Sequence, residues 1–129
     1  MKLTVVIPGR PPTPNNGPRN NWAAAAAERK QWRGDAHKIA RDAVNRAGWP
    51  GADLVRIHVV FVVPTHGRRD WSNLIASLKP LEDGMVDAGV MRDDSLDVIQ
   101  SYTFGHRYER GIAATEFHVE RVDAGGLGL

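Results

Sequence analysis

Two groups of carboxylates have the residue types and the order along the chain that metal-dependent chemistry requires. Asp70 follows two arginines, Arg68 and Arg69, and the pair Asp93 and Asp94 comes after the next predicted helix. Mg²⁺ prefers oxygen ligands and keeps several waters, so that a few carboxylates are enough to hold it. If the strands that flank the two groups share a sheet, the carboxylates can converge. The pattern therefore predicts a magnesium-dependent phosphodiesterase, which we interpret as a small DNA endonuclease.

The candidate metal ligands are not equivalent. Asp70 and Asp94 are the best candidates, and Asp93 is either a third ligand or a partner that supports the others. Residue types alone leave a purely structural explanation open. Asp70 or Ser72 is also a favourable helix N-cap, and the run from Asp93 to Ser95 makes an ordinary turn.

Basic residues accompany these carboxylates. Arg68 and Arg69 could hold the flanking phosphates of a DNA strand, and Lys79 could stabilise charge that develops in the transition state. Residues 1–50 hold nine Lys and Arg against three Asp and Glu, whereas residues 51–129 hold eight against twelve. A basic half suits a phosphate backbone, and an acidic centre repels one unless a cation lies between them. This distribution favours a metal-dependent nuclease, although solvated helix faces would give the same counts.

Further candidate DNA contacts lie upstream. Arg29 and Arg33 belong to a ridge of basic residues spaced four apart on one predicted helix, which continues through His37 and Arg41. Alone, such a ridge is typical of a solvated helix surface, but beside a nuclease site it becomes a phosphate-contacting surface. Residues 8–21 form a Pro- and Asn-rich segment that is long for a loop in a small domain, which indicates a functional or disordered segment. Its candidate DNA contacts are Arg10, Asn15 and Asn16.

Two residues next to Asp70 have open assignments. Trp71 could stack on an unpaired base or cap the helix that follows it. His66 could approach a substrate, although none of the chain's five histidines shows metal-ligand spacing. Sequence alone does not choose between these alternatives.

Bulk properties narrow the class of protein. The chain has 129 residues with 42% hydrophobic and 25% charged residues, which predicts one globular domain over residues 1–129. The absence of cysteine excludes disulfides, thiolate metal sites and thiol catalysis. No apolar run is long enough for a membrane span or a signal peptide, so we expect a cytosolic protein.

Hydrophobic periodicity predicts an α+β fold of order β-α-β-α-β-β with a four-stranded mixed sheet and two helices. Apolar residues recur on one helical face over residues 22–47, and Gly48 ends that helix. The second helix should be kinked or split by Pro80. We expect the helices to cover mainly one sheet face, which leaves another surface for self-association. The predicted strands are 2–7, 54–63, 96–104 and 111–122, the second helix is 72–88, a turn covers 105–111, and the tail 124–129 is frayed.

The motifs around these carboxylates resemble the RusA family of Holliday-junction resolvases, in particular its phage and prophage branch. The amino-terminal loop reads Pro-Pro-Thr-Pro-Asn-Asn at residues 11–16, and the central block reads Arg-Asp-Trp-Ser-Asn-Leu at residues 69–74. A helix of the family's type follows at residues 78–89 with the sequence Leu-Lys-Pro-Leu-Glu-Asp-Gly-Met-Val-Asp-Ala-Gly, and the Asp-Asp pair closes the set. The central block is specific, whereas the proline loop alone would be weak.

The resemblance implies a homodimeric endonuclease that uses Mg²⁺, with Mn²⁺ as an alternative, and resolves four-way DNA junctions in recombination and repair. A junction has two equivalent strands to cut, and a two-fold dimer places one active site at each. The family's first metal-binding aspartate falls on Asp70 and its last on Asp94. The branch of the family also implies a bacterial host cell and a phage or prophage origin.

Two departures from the family pattern leave alternatives open. The family's second metal-binding aspartate falls on Ser72, a poor magnesium ligand, so that activity is weak, or Asp93 or Asp83 compensates, or the protein binds junctions without cutting them. The family's lysine falls on Ala76 when residues are counted forward from Asn73, and it falls on Lys79 when they are counted back from Asp94. We prefer Lys79. The competing hypotheses are a catalytically silent DNA-binding dimer and, ranked lowest, a structural protein without a nucleic-acid role.

Overall fold

The computed structural model describes residues 1–12 and 22–123 and has an α+β fold with a four-stranded mixed sheet, as the sequence predicts. Asn15, Asn16 and the tail 124–129 lie outside the described residues. None of the helices that the structure describes is long and apolar enough to cross a membrane. The elements in chain order are β1 (Lys2–Pro8), α1 (Trp22–Ala47), β2 (Val55–Val63), α2 (Trp71–Ala76), α3 (Lys79–Asp87), β3 (Ile99–Tyr108) and β4 (Ala114–Arg121).

The sheet has the strand order β1-β4-β2-β3, in which β2 and β3 are parallel and the other pairs are antiparallel. Because parallel neighbours need a crossover, α2 and α3 and the loop after them connect β2 to β3. Alternate side chains of the strands, including Val59, Phe61 and Phe117, are buried in one core. Register aligns a polar row of Thr4, His118, His58 and Thr103 on the opposite, open face.

Helices α1 and α3 approach each other closely at Gly84. A Cβ atom built on this glycine would lie 2.6 Å from the Ala36 Cβ and 2.6 Å from the Arg33 carbonyl oxygen, so only a hydrogen fits between the helices. Ala36, Ala40 and Val44 form the buried stripe of α1. Small residues on both helices therefore determine how near α3 lies to α1.

The second predicted helix is split in two, as Pro80 suggested. Helix α2 ends at Ala76, and α3 begins at Lys79 with Pro80 in its first turn, where a missing backbone N–H costs nothing. The predicted apolar side is buried, as the low exposures of Leu74, Leu78 and Met85 show. The first three residues of α2 are exposed, whereas in the first turn of α3 Lys79 is exposed and Pro80 and Leu81 are buried.

The predicted position of the third strand was wrong by a few residues. β3 runs through Gly105 to Tyr108, and the turn before β4 begins later than predicted. Gly105 pairs with Val60 in the β2–β3 ladder, and a Cβ at this glycine would lie 3.2 Å from Nε2 of His58 on the neighbouring strand. Gly111, with φ of 75°, lies in the turn itself. The glycine that signalled a turn in the sequence serves instead to admit an imidazole.

Candidate active site

Lys79 holds two carboxylates at the beginning of α3. Its Nζ donates to Oδ2 of Asp94 at 2.5 Å and lies 3.1 Å from Oδ1 of Asp83. The hydrogen bond from Lys79 lowers the pKa of Asp94, and the bonds to Asp94 and Asp83 raise the pKa of Lys79. Asp94 arrives from the loop after α3, so two separate segments converge on one cation. The structure thus brings together Lys79 and Asp94, two of the three residues to which the sequence assigned catalysis.

A half-buried carboxyl lies on the same face of α3. Tyr102 of β3 donates its hydroxyl hydrogen to Oε2 of Glu82 at 2.6 Å. Burial is the main cause that raises the pKa of Glu82, and burial together with the neighbouring Glu82 charge raises that of Tyr102. This pair connects α3 to β3 of the sheet, beside Lys79 and Asp83.

Asp70 occupies the N-cap position of α2 but makes no side-chain capping hydrogen bond. Its carboxylate is 59% exposed, and its nearest ion-pair partner is Nε of Arg68 at 3.7 Å. Ser72 and Asn73 are also exposed in the first turn of the helix. The capping role that residue types left open does not account for Asp70, because its carboxylate stabilises no helix N–H group.

The predicted ligands form two groups rather than one. Asp70 lies before α2, whose six residues span about 9 Å at 1.5 Å per residue, and Lys79 begins the next helix. Asp93 is exposed beside Asp94. Within residues 1–12 and 22–123, no three His, Asp or Glu side chains lie close enough together to hold a metal ion. Asp83 and Asp94 converge instead on the Lys79 ammonium group, and carboxylate oxygens are of the kind that Mg²⁺ prefers.

Arg10 and Arg69 come together from distant parts of the chain. Both line a cavity of about 210 Å³ at the end of β2. Burial and the positive charge of Arg69 lower the pKa of Arg10. Neither guanidinium has a carboxylate partner among the residues that the structure describes. Two neighbouring cations without a counter-charge favour an anion such as a phosphate.

The loop before Asp70 is organised by Arg69 itself. Its guanidinium donates to the carbonyl oxygens of Thr65 and Gly67 at 3.0 and 2.8 Å and to the Thr65 hydroxyl at 2.9 Å. Arg68, by contrast, is almost fully exposed. Of the two arginines predicted to hold phosphates, one is positioned by its own loop and the other extends into solvent.

The basic ridge of α1 faces α3. Arg33 donates to both carboxylate oxygens of Asp87 at 2.7 and 2.9 Å, so it joins the two helices. Arg29 and Arg33 nevertheless border a surface hollow of about 520 Å³ whose other wall includes Lys79 and Asp83. The ridge therefore lies beside the lysine–carboxylate cluster, and the DNA contacts predicted for Arg29 and Arg33 remain predictions.

Sequence reasoning missed an aromatic cavity at the ends of β2 and β3. The cavity measures about 490 Å³. The rings of His66 and Tyr108 stack at 3.8 Å between centroids, and Trp71 contacts His106 edge to face at 5.6 Å. The misplaced end of β3 hid His106 and Tyr108, which the sequence assigned to a turn. We call this the aromatic cavity; its lining residues are Val63, Thr65, His66, Gly67, Arg69, Trp71, Leu74, His106, Arg107 and Tyr108.

Comparison with known proteins adds little on function. No protein-family model matches the chain. Over 93 residues, or 68% of the chain, it is 35% identical to an uncharacterized protein of Xylella fastidiosa (strain Temecula1). The matched stretch covers 57% of that protein, so the chain spans a little over half the length of this relative. Functional inference therefore depends on the site.

Proposed function

We propose that this protein is a magnesium-dependent endodeoxyribonuclease that cuts branched DNA, with four-way junctions as its substrate. The observation that carries the proposal is the convergence of Asp83 and Asp94 on Lys79 at the protein surface. Phosphodiester hydrolysis needs carboxylates to hold a cation and a positive group near the developing charge. The resemblance of residues 69–94 to the RusA resolvases points to the same chemistry.

DNA binding is supported by cations on both sides of the carboxylates. Arg10 and Arg69 lie together near Asp70, and Arg29 and Arg33 border the hollow beside Lys79. In this proposal one strand crosses the site, and its phosphates contact both pairs. Because a junction contains two equivalent strands, the proposal includes a two-fold dimer that makes paired symmetric nicks.

Asp83 and Asp94, which converge on Lys79, would hold the Mg²⁺ ion in this proposal, and Asp70, in a separate group before α2, would join them only if DNA binding brings its segment closer. When bound, the ion would activate a water molecule and neutralise the scissile phosphate. Asp93 lies next to Asp94 and would support it. The chain's own contribution is to keep Asp94 ionised through Lys79 and to hold that lysine near the reacting phosphate.

A second candidate function is junction binding without efficient cutting. Two observations favour it: Ser72 supplies no negative charge in the first turn of α2, and no three acidic or histidine ligands cluster within the described part of one chain. In this alternative Lys79 stays paired with Asp83 and Asp94 and takes the place of a metal ion, and the basic surface alone acts on DNA.

Replacing Ser72 with aspartate separates the two functions. The variant adds a hard anionic ligand next to Asp70 at a helix N-terminus, where a negative charge is also favourable. We expect magnesium-dependent junction cleavage to rise about tenfold or more, by analogy with the effect of residues that tune metal sites. Ser72→Asn is the matched control, since asparagine has nearly the same shape as aspartate but no charge. An unchanged rate in both variants would show that position 72 does not limit the reaction.

Replacing Lys79 with methionine should slow cleavage by about 10²- to 10³-fold, because a preorganised positive group is lost. It should also move the acid limb of the pH–rate profile to higher pH. Lys79 holds the pKa of Asp94 below its ordinary value, so without it Asp94 takes up its proton at a higher pH. The measurement is the single-turnover rate against pH, with Lys38→Met on the exposed side of α1 as control. A slower rate with an unmoved acid limb would contradict the assigned link to Asp94.

A further inference from the structure

The aromatic cavity has ring faces that the fold leaves open. Trp71 is fixed from below by an edge-to-face contact with Phe61, a core residue, at 6.2 Å between centroids. Trp71 is nevertheless 45% exposed, and Tyr108 is 41% exposed. Rings that are anchored on one side and open on the other are suited to stack on a flat ligand.

The polar groups of the cavity are also held in place. Arg107 is paired with both Glu109 and Glu116, so its charge is already balanced. Arg69 is fixed by its bonds to the loop but has no carboxylate partner in the described chain, and Arg10 lies beside it. An uncompensated positive pair at one end of an aromatic cavity suits a ligand that combines a planar ring with an anion.

The position of the cavity identifies that ligand more closely. Trp71 directly follows Asp70 in the chain, so a ring stacked there would bring its attached phosphate towards Asp70 and Arg69. We infer that the aromatic cavity binds one unstacked nucleobase of the DNA substrate, while Arg10 and Arg69 hold the adjoining phosphate. This inference rests on the proposed function and assigns the recognition of branched DNA to the cavity, because bases within an intact duplex are stacked and cannot enter it.

Binding without cleavage tests the inference directly. The affinity of a fluorescent four-way junction and of a matched linear duplex is measured in EDTA, for the unaltered protein and for Tyr108→Ala, His66→Ala and Trp22→Ala. Tyr108→Ala and His66→Ala should each bind the junction about fivefold to a hundredfold more weakly, because base stacking is lost. Their affinity for the duplex should not change. Trp22 is an exposed tryptophan on α1 that does not line the cavity, so Trp22→Ala should bind both DNAs like the unaltered protein.

The same test is run from the DNA side with the unaltered protein, which removes any dependence on the folding of a variant. Single abasic nucleotides are placed in turn around the branch point. At one position, the abasic nucleotide should weaken binding of the unaltered protein as much as Tyr108→Ala does. The same abasic nucleotide should not weaken binding of the Tyr108→Ala variant any further, since the two changes remove one contact. Equal junction affinity for the unaltered protein and both cavity variants, or abasic costs that stay additive with Tyr108→Ala, would overturn the inference.

These outcomes are separable from those for the proposed function. Coupled losses at the cavity together with no cleavage in Mg²⁺ would support base capture and refute the endonuclease. Cleavage that persists while the cavity variants bind normally would support the endonuclease and refute base capture. Absence of binding to any DNA would overturn both.

Discussion

Asp94→Asn is expected to reduce magnesium-dependent cutting of a four-way junction on the order of 10³-fold. Asparagine has the shape of aspartate but lacks the charge that holds a cation, and it cannot keep the ion pair that Lys79 makes at 2.5 Å. Asp94 is partly exposed, so the fold should survive the change. The measurement is the single-turnover cleavage rate in Mg²⁺, together with junction affinity in EDTA, which should change little.

Asp97→Asn is the matched control for that variant. Asp97 lies in the same loop between α3 and β3, is exposed, and makes no ion pair in the described chain. Its replacement should leave the cleavage rate unchanged within roughly twofold, the effect expected of a surface substitution away from a site. Equal losses in both variants would mean that the negative charge of the loop, rather than the position of Asp94, supports the reaction.

Gly84→Ala should lower the free energy of unfolding by about 2–3 kcal/mol, although alanine is the better helix former. The added Cβ would lie 2.6 Å from both the Ala36 Cβ and a backbone oxygen of α1, so α1 and α3 must move apart. For a domain of this size the midpoint of thermal unfolding should fall by roughly 10 °C. Activity should fall as well, because α3 carries Lys79 and Asp83.

Gly34→Ala provides the comparison within the same fold. A Cβ at Gly34 of α1 meets nothing within 4 Å, so the substitution adds helix propensity without a clash. We expect it to raise the free energy of unfolding by up to about 1 kcal/mol. Thermal or denaturant unfolding of both variants checks the pair. A stabilised Gly84→Ala would show that the two helices separate at little cost and that this glycine does not set their spacing.

The elements with strong periodicity were predictable from sequence. The apolar stripe of α1 and the buried run of β2 could be assigned to the core from sequence, because each presents one continuous apolar surface. The kink at Pro80 was predictable for a local reason, since proline cannot continue a helix interior. Lys79, preferred over Ala76 from the sequence, is in contact with Asp94. The spacing of the two motifs allowed this contact but did not require it.

The features that depend on neighbours in space were not predictable. Gly105 indicates a turn in isolation but lies in β3, where it pairs with Val60 of β2 and lies close to the His58 ring. In the sequence Arg33 looks like an unpaired basic residue, whereas in the structure it forms an ion pair with Asp87 of α3. The aromatic cavity combines residues from a loop, a helix start and a strand end, and no spacing rule links them. Long-range packing decided each of these, and one sequence carries no signal for it.

Cleavage of a labelled four-way junction and of a matched linear duplex, each with Mg²⁺ and with EDTA, tests the proposed function most directly. We predict paired symmetric nicks near the branch point that require Mg²⁺ and are absent from the duplex. Intact junction DNA in Mg²⁺, under conditions where the protein is bound to it, would contradict the endonuclease and leave a junction-binding protein.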